Sequence, residues 1–469
     1  MKIEKRYLRV PVKWDGEKAK LTFCENGKTV VALDYLSGEP ADFVYEYDMR
    51  EQLGKELTLS FDDEKHAFAP DFTDTLDTED HFADKRPLLH FTARNGWNND
   101  PNGLVYYEGH YHMFFQHNPV GNVWGNMHWG HAVSDDLIRW EEQEIALFPD
   151  DTGTMYSGSA IIDRNNVSGL KCNDHDPLLL FYTAAGTPFT QQLAYSTDGA
   201  KTFKKYGQII PHIKGHNRDP KVVWCEETGC FLLALYLDGD EFAIFKSFDL
   251  LNWKILQTLK LENDNECPDM FPLCCNGKRY WIFTAAHSRY YIGEFEGGLF
   301  RPKYSGSLMN GGLHYAAQTF SDIPDKRIHI GWNRSRIPDV SFGSSMTTPC
   351  EMQLKELGGK PVLTMQPIAA FDNLFTEKPD DGRPQKLVIR PDTFPCEITI
   401  LGNKIELTEN SITCRNSTVR YTPSKNPFTV TTDRGSFELF APEYDAYLCL
   451  DAVNNTTSAD MAERTGAKV

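Results

Sequence analysis

A short turn sequence occurs three times in the middle of the chain and constrains the fold more than any other feature. The copies begin at Ser134, Ser196 and Ser247, and each places an aspartate two residues after the serine. An apolar run precedes each copy, as in residues 242–246. The copies start 62 and 51 residues apart. Repeats of this length that contain several short strands are typical of β-propeller blades, with repeated hairpins in a β-sandwich as the alternative.

The segments between these turns favour strands. Residues 104–107 and 111–115 flank a glycine-containing turn and predict a β-hairpin. Residues 178–183 and 280–284 are short apolar runs typical of buried strands. Residues 86–370 contain no convincing amphipathic helix. These patterns predict an all-β fold.

The first part of the chain has a different pattern. Residues 20–23 and 29–33 alternate apolar and polar side chains, and an acidic stretch follows at residues 71–80. We therefore predict a small β domain over residues 1–80 that ends in a polar linker. The repetitive region, residues 86–370, follows it as the propeller domain.

Three peptides place a carboxylate near a proline at the edge of a predicted strand. They are residues 99–103 (Asn-Asp-Pro-Asn-Gly), 218–220 (Arg-Asp-Pro) and 266–269 (Glu-Cys-Pro-Asp). Two carboxylates acting across one bond are the minimal apparatus of glycoside hydrolysis. The peptides therefore predict a glycosidase site.

Propeller geometry would bring these acids together. The innermost strand of every blade faces one central funnel, so Asp100, Asp219 and Glu266 converge there although they are distant in sequence. Considered singly, residues 99–103 also fit an ordinary turn, and Arg218 next to Asp219 also fits a surface ion pair.

Composition excludes some functions. The formal net charge is -18 and the isoelectric point is about 5.2, which argues against a nucleic-acid partner but suits a neutral carbohydrate. Eleven cysteines without a CxxC pair indicate a reduced, intracellular chain. No signal-peptide core and no membrane-spanning apolar segment are evident, so we expect a cytoplasmic protein that has no membrane partner.

Several histidines lie close together in sequence, but no acidic residue stands at ligand spacing beside them. We therefore expect no metal site and no cofactor. The histidines concerned are His110, His112, His117, His128 and His131.

Residues 97–103, Trp-Asn-Asn-Asp-Pro-Asn-Gly, resemble the signature heptad of glycoside hydrolase family 32, the invertases, levanases and inulinases. The family usually has Met at the position of Asn98. The resemblance extends over residues 86–370 and keeps the family's motif order. The further matching segments are residues 114–119, 124–134, 156–159, 218–221, 266–269, 315–318 and 331–332.

The resemblance implies a five-bladed propeller and a retaining double displacement on a β-linked fructofuranosyl unit. Asp100 would be the nucleophile, and Glu266 the general acid and then the general base. Asp219, held by Arg218, would stabilise the transition state. Because carboxylates of a retaining pair lie about 5–5.5 Å apart, one of the two is pushed to hold a proton, and we expect Glu266 to hold it.

The same comparison implies a fructose subsite of polar and aromatic side chains, although ordinary blade packing is the alternative role for each aromatic. Cys267 would either tune the neighbouring acid or serve as a small buried apolar residue. The implied substrate-binding residues are Asn99, Gln116, Trp124, Tyr156, Ser157, Arg218, Tyr315 and Trp332.

The chain also departs from the family pattern. Cys350 stands where the family has an arginine, and the C-terminal β-sandwich, residues 380–455, looks abbreviated. Residues 1–80 form a domain that many invertases lack. Its candidate roles are interdomain packing, homodimer formation and glycan contact.

The resemblance favours exo-acting release of terminal fructose from levan- or inulin-type fructans, with sucrose as a companion substrate. Fructosyltransferases share the same first-subsite machinery. Two other classes remain open: the arabinan- and xylan-cleaving enzymes of a related propeller, and a carbohydrate-binding protein without turnover.

Overall fold

The computed structural model describes residues 1–309, 311–375 and 384–453, and the backbone of 464–465 and 467–468. Regular structure in these residues is almost entirely β, which confirms the all-β prediction. None of the helices found in the described residues could cross a membrane. They are three short 3-10 turns, Arg50–Gln52, Glu64–His66 and Ala369–Asn373.

The N-terminal region forms two three-stranded antiparallel sheets, of order β4-β1-β6 and β3-β2-β5. Alternating side chains of both sheets, such as Leu8 and Phe23, fill one shared core. The acidic stretch predicted as a linker begins instead with a strand, because Phe72 pairs with Leu8 and packs on this core. The strands are Tyr7–Val12 (β1), Glu17–Glu25 (β2), Lys28–Ser37 (β3), Phe43–Asp48 (β4), Thr58–Phe61 (β5) and Asp71–Thr73 (β6).

Five antiparallel sheets follow one another along residues 96–367. The first contains Gly96–Tyr107 (β7), His110–Asn118 (β8), His128–Ser134 (β9) and Glu141–Glu142 (β10). The second contains Thr154–Ile162 (β11), Leu178–Ala185 (β12), Thr190–Ser196 (β13) and Lys204–Ile210 (β14). The third contains Arg218–Cys225 (β15), Cys230–Asp238 (β16), Glu241–Ser247 (β17) and Lys254–Lys260 (β18).

The fourth sheet contains Asp269–Cys275 (β19), Lys278–Thr284 (β20), Arg289–Glu296 (β21) and Leu299–Ser307 (β22). The fifth contains His314–Thr319 (β23), Ile328–Asn333 (β24), Ser345–Met346 (β26), Cys350–Leu357 (β27) and Lys360–Pro367 (β28). Between β24 and β26, the short strand Phe342–Gly343 (β25) pairs in parallel with β7 of the first sheet.

The repeated turn joins the third and fourth strands of the first three sheets. In each copy the serine hydroxyl accepts a backbone N–H, at 2.8 Å for Ser134, 3.1 Å for Ser196 and 2.9 Å for Ser247. The aspartate two residues later accepts backbone N–H groups in the same turn. Local hydrogen bonding therefore explains why serine and aspartate recur at these positions.

The first strands of the five sheets contact one another: β7 contacts β11 and β23, β11 contacts β15, and β15 contacts β19. A buried ion pair connects three of them: Lys221 Nζ on β15 lies 3.3 Å from Asp269 Oδ1 on β19. Lys221 also donates to the Thr319 carbonyl of β23 (2.6 Å), and Asp269 Oδ2 accepts the Thr319 N–H (2.6 Å). This arrangement brings the segments that carry the three predicted acids to one place.

The C-terminal region forms two further sheets, of order β36-β35-β34-β29-β38 and β33-β32-β31-β30-β37. Residues from both, such as Ile389 and Ile405, share one apolar core. The predicted unit, 380–455, begins and ends outside the described residues, and strands β37 and β38 lie beyond its predicted end. The strands are Gln385–Pro391 (β29), Cys396–Ile400 (β30), Asn403–Leu407 (β31), Ser411–Cys414 (β32), Ser417–Arg420 (β33), Phe428–Asp433 (β34), Ser436–Phe440 (β35), Tyr447–Asp451 (β36), Arg464–Thr465 (β37) and Ala467–Lys468 (β38).

Candidate active site

Asp100 lies within strand β7, where the pairing with β8 shifts register between Asn98 and Pro101. The peptide is therefore an irregularity inside a strand, and the alternative of an ordinary connecting turn is wrong. Asn99 Nδ2 donates to Asp100 Oδ1 (2.9 Å), and Ser157 Oγ donates to Asp100 Oδ2 (2.7 Å). Burial raises the pKa of Asp100 and the charge of Glu266 adds to this, while the two donors oppose it.

Asp219 is the second residue of β15 and has a left-handed backbone, with φ of 65°. Its N–H donates to Thr183 Oγ1 (3.0 Å), and its Oδ2 accepts the Cys267 N–H (2.9 Å). Burial raises the pKa of Asp219 to about 7, while the charge of Arg218 opposes the rise. This carboxyl is the most deeply buried of the three acids.

Glu266 precedes β19 in a strained turn. It has φ of 54° and Cys267 has φ of 39°, so two consecutive residues other than glycine occupy the left-handed region. Tyr315 donates its hydroxyl to Glu266 Oε2 (3.0 Å), and Arg218 Nη2 lies 2.7 Å from Glu266 Oε1. Backbone strain of this kind is concentrated at functional sites, where surrounding contacts maintain it.

Arg218 contacts more than its predicted partner. Its Nε lies 3.7 Å from Oδ2 of Asp219, the acid that it is expected to hold, and its closer ion pair is with Glu266. Its guanidinium also lies over the Tyr236 ring, 4.7 Å from the centroid. The arginine thus bridges two acids, because neighbours on β16 and before β19 fix its position together.

Cys267 lies between two of the acids, Asp100 and Asp219. Its Sγ lies 3.7 Å from Asp100 Oδ2 and 3.4 Å from Asp219 Oδ2. Burial raises the pKa of the Cys267 thiol well above its usual value, and the nearby carboxylates add to the effect. The thiol is therefore a protonated donor between two carboxylates, and it is more than a small buried apolar group.

Several aromatic rings pack in edge-on pairs, and one of them, Tyr315, contacts Glu266. Trp332 packs edge-on against Trp97 (5.7 Å between centroids) and Tyr315 (6.2 Å). Trp124 and Tyr156 form a second edge-on pair at 6.2 Å, and 56% of the Trp124 surface is exposed. An exposed indole beside polar groups is a suitable surface for the apolar face of a sugar.

The structure places the predicted subsite residues at different distances from the acids. Asn99, Ser157, Arg218 and Tyr315 contact them directly. Gln116 is buried on β8 near the register shift, and its Nε2 has no hydrogen-bond partner among the described residues. A free buried amide of this kind can donate to a bound ligand.

Sequence analysis missed several residues that support the site. Tyr236 stacks on Arg218, Thr183 positions Asp219, and Ser344 Oγ accepts the Trp332 indole N–H at 2.8 Å. Each of the three lies on a strand or loop distant in sequence from the residue that it supports, and no local sequence pattern identifies it. Only the three-dimensional arrangement reveals their part in the site.

The described residues contain no group of three or more histidine, cysteine or carboxylate side chains arranged to hold a metal ion. The buried His112 and His131 stack on each other, with Nδ1 and Nε2 3.0 Å apart. Burial lowers the pKa of His112 to about 4 and that of His131 well below its usual value. This pair is therefore neutral near pH 7 and packs within the sheet.

Asp219→Asn is expected to stabilise the fold increasingly as the pH rises from 4 to 8. Because the folded-state pKa of Asp219 is about 7, above the usual 3.8, the folded wild type loses stability as the pH rises through this window. The variant lacks this loss, which corresponds to about 2–4 kcal/mol at pH 8. Urea unfolding at pH 4, 6 and 8 measures the difference. Asp174→Asn, at an exposed position, is the control, and a pH-independent difference would contradict the burial of Asp219.

Carboxylates gathered at one site are the catalytic apparatus typical of glycoside hydrolases. The comparison of families is consistent with this class. The sequence model of the "Glycosyl hydrolases family 32 N-terminal domain" matches residues 90–367, and the chain belongs to this family.

Relatives of established function share part of the chain. The levanase of Bacillus subtilis is 35% identical over 316 residues, which cover 60% of this chain and 46% of the levanase. The extracellular exo-inulinase of Aspergillus awamori is 32% identical over 357 residues, covering 63% of this chain and 66% of the exo-inulinase. The chain thus spans about half to two thirds of the length of these relatives.

Solved structures support the fold. The crystal structure of the exo-inulinase from Aspergillus awamori superimposes with a TM-score of 0.70 at 23% identity. The superposition covers 82% of this chain and 97% of the exo-inulinase. At this level of identity the similarity establishes a common architecture.

Proposed function

We propose that the protein is a retaining glycoside hydrolase that releases terminal β-D-fructofuranosyl units from levan- or inulin-type fructans, with sucrose as a companion substrate. The observation that carries the proposal is the different environment of each acid. Asp100 accepts hydrogen bonds from the side chains of Asn99 and Ser157, Glu266 is held by Tyr315 and Arg218, and Asp219 is buried. Three carboxyl groups with separate environments suit three separate roles.

In the first step, Asp100 would attack the anomeric carbon while Glu266 gives its proton to the departing glycosidic oxygen. This forms a fructosyl ester on Asp100 and releases the shortened chain or glucose. In the second step, Glu266 would take a proton from water as the water oxygen attacks the anomeric carbon, which frees fructose and restores both groups. Asn99 and Ser157 orient the attacking carboxylate.

Asp219 would bind hydroxyl groups of the fructose ring and stabilise the positive charge that develops in the transition state. Arg218 holds Glu266 in reach of the same bond. Asn99, Gln116, Trp124, Tyr156, Ser157, Tyr315 and Trp332 would complete the subsite with aromatic surface and hydrogen-bonding groups.

We also propose the finer architecture that accompanies this function. The five sheets of residues 86–370 would be the blades of a five-bladed propeller, with the acids in its central funnel. The parallel pairing of β25 with β7, which joins the fifth sheet to the first, supports a closed ring. The shared core of the two C-terminal sheets supports a β-sandwich over residues 380–455.

Fructan as the substrate class is supported by the names of the relatives, a levanase and an exo-inulinase. The net charge of -18 suits a neutral polysaccharide. Levan and inulin differ in linkage, and the relative rates on the two polymers would establish which one is preferred.

The test is fructose release from sucrose, levan and inulin, with Asp100→Ala as the inactive variant and Asp174→Asn as an exposed matched control. We expect fructose from the wild type and the control and none from Asp100→Ala. Arabinose release from arabinan without fructose release would contradict the proposal. Retention of fructans without any product would indicate a binding protein, and trisaccharide formation from sucrose would indicate a transferase.

A further inference from the structure

The N-terminal β domain contacts two segments that carry or hold aromatic residues of the proposed subsite. The first is residues 119–127, which we name the Trp124 loop. The second is residues 340–344, which we name the Ser344 segment. Among the described residues, no hydrogen bond or ion pair joins residues 1–80 to Asp100, Asp219 or Glu266.

The Trp124 loop is fixed to the N-terminal domain at two points. Val120 is completely buried and belongs to the apolar core of that domain. Asn126 Oδ1 accepts the N–H of Asp34 (2.8 Å), and Asn126 Nδ2 donates to the carbonyl of Asp34 (2.7 Å). Asn126 thus completes the backbone pairing of strand β3, and Trp124 lies between the two fixed points.

Asn118, at the end of β8, also holds the loop through three hydrogen bonds. Asn118 Oδ1 accepts from the Val120 N–H (3.1 Å) and from Asn126 Nδ2 (3.0 Å), while Asn118 Nδ2 donates to the Val123 carbonyl (2.9 Å). These bonds connect the two anchored positions to each other. The shape of the loop therefore rests on its bonds to Asn118 together with the two contacts to the N-terminal domain.

The Ser344 segment is held from the same side. Tyr45, on β4 of the N-terminal domain, donates its hydroxyl to the Ser341 carbonyl (2.9 Å). Asn122 of the Trp124 loop donates to the Val340 carbonyl (2.9 Å), so the two segments are also tied together. A Cβ at Gly343 would lie 2.3 Å from the Asn122 carbonyl oxygen, so only glycine permits this approach.

The Ser344 segment in turn fixes Trp332. Ser344 Oγ accepts the Trp332 indole N–H (2.8 Å) and also donates to the Asn98 carbonyl. Contacts of the N-terminal domain therefore reach Trp124 through its loop and Trp332 through Ser344. Both residues are aromatic members of the proposed subsite.

We propose that the N-terminal β domain is a positioning brace for the aromatic rim of the sugar-binding site. The proposal rests on the proposed function, because it concerns the same subsite. Without these contacts, Trp124 and Trp332 would be mobile in the free protein and would lose conformational entropy when a sugar binds. That loss would weaken sugar binding. The brace therefore lowers KM and leaves the chemical step unchanged, since the three acids are held by other contacts.

The test uses full-length variants that release the Trp124 loop. Asn126→Gly removes the two bonds to Asp34 and the bond to Asn118 Oδ1, and it tolerates the left-handed backbone, with φ of 46° at this residue. Val120→Ala weakens the second anchor, and Val120→Ile is the conservative comparison. The control is Glu144→Gln, which removes the ion pairs of Glu144 with Arg6 and Arg50 between the same two domains and touches neither segment.

We expect faster amide hydrogen exchange in residues 119–127 and 340–344 of Asn126→Gly and Val120→Ala. We also expect KM for the preferred fructan to rise about 5- to 10-fold with kcat within about 2-fold of the wild type. Val120→Ile and Glu144→Gln should keep wild-type values of both. Unchanged exchange and KM in Asn126→Gly would overturn the proposal, as would a fall in kcat at constant KM.

The two proposals fail in distinguishable ways. If the wild type releases no fructose from any substrate, the proposed function is wrong, whereas hydrogen exchange still decides whether the domain braces the two segments. If Val120→Ala unfolds, Asn126→Gly decides the result, because its substitution creates no cavity in the apolar core. Wild-type exchange in Asn126→Gly would then overturn the brace without reference to activity.

Discussion

Asp100→Asn and Glu266→Gln are both expected to lose fructose release from sucrose, and an activated substrate should separate them. Loss of a general acid costs about 10²- to 10⁴-fold, but a good leaving group departs without a proton. Glu266→Gln should therefore recover most of its first-step rate on p-nitrophenyl β-D-fructofuranoside. Asp100→Asn should stay inactive on both substrates, because the attacking carboxylate is gone. Burst and steady-state release of p-nitrophenol measures this difference.

The same pair predicts a shift in pH dependence. The charge of Glu266 adds to the burial that raises the pKa of Asp100, so Glu266→Gln should lower it. Asp100 must be ionised to attack, and the acid limb of kcat/KM should therefore move to lower pH. Glu262→Gln, an exposed carboxylate in the same turn region, is the control. An unmoved acid limb in Glu266→Gln would count against electrostatic coupling of the two acids.

Lys221→Met is expected to give the largest loss of stability, about 3–5 kcal/mol. The substitution leaves the buried Asp269 carboxylate without its cation and removes the bond to the Thr319 carbonyl. Because Lys221 and Asp269 connect β15, β19 and β23, the substitution removes contacts that hold three sheets together. Urea unfolding monitored by tryptophan fluorescence measures the change.

A second substitution distinguishes the charge from the packing. Adding Asp269→Asn to Lys221→Met removes the unpaired charge and keeps an amide oxygen for the Thr319 N–H, so part of the stability should return. Lys201→Met, at an exposed position, should leave the unfolding midpoint nearly unchanged. A double variant no more stable than Lys221→Met would show that the buried charge is not the cause.

Local patterns predicted the repeated turns and the strands beside them. The serine and aspartate of each turn accept hydrogen bonds from their own neighbours, so their identity is determined within a few residues. The predicted hairpin over residues 104–115 is likewise local, and it forms as β7 and β8. The repeat also placed Asp100, Asp219 and Glu266 in or just before the first strand of three different sheets, as the structure has them.

Other features depend on contacts between distant segments. Arg218 was expected to pair with its neighbour Asp219, yet Glu266, distant in sequence, provides its shorter ion pair. The residues predicted as an acidic linker include Phe72, which pairs with Leu8 and gains burial that composition alone does not reveal. The sequence also does not predict that the Cys267 thiol lies between two carboxylates, because Asp100 and Asp219 are on other strands.

The two-residue strand β25 covers the edge of β7 at its start, at Gly96 and Trp97. An uncovered strand edge can template pairing with other chains, and this cover is made only about 235 residues after β7 ends. At a synthesis rate of ~5–20 residues per second, the nascent chain therefore exposes that edge for roughly 10–50 s. The nascent chain should therefore need chaperones mainly during this interval, before residue 343 leaves the ribosome.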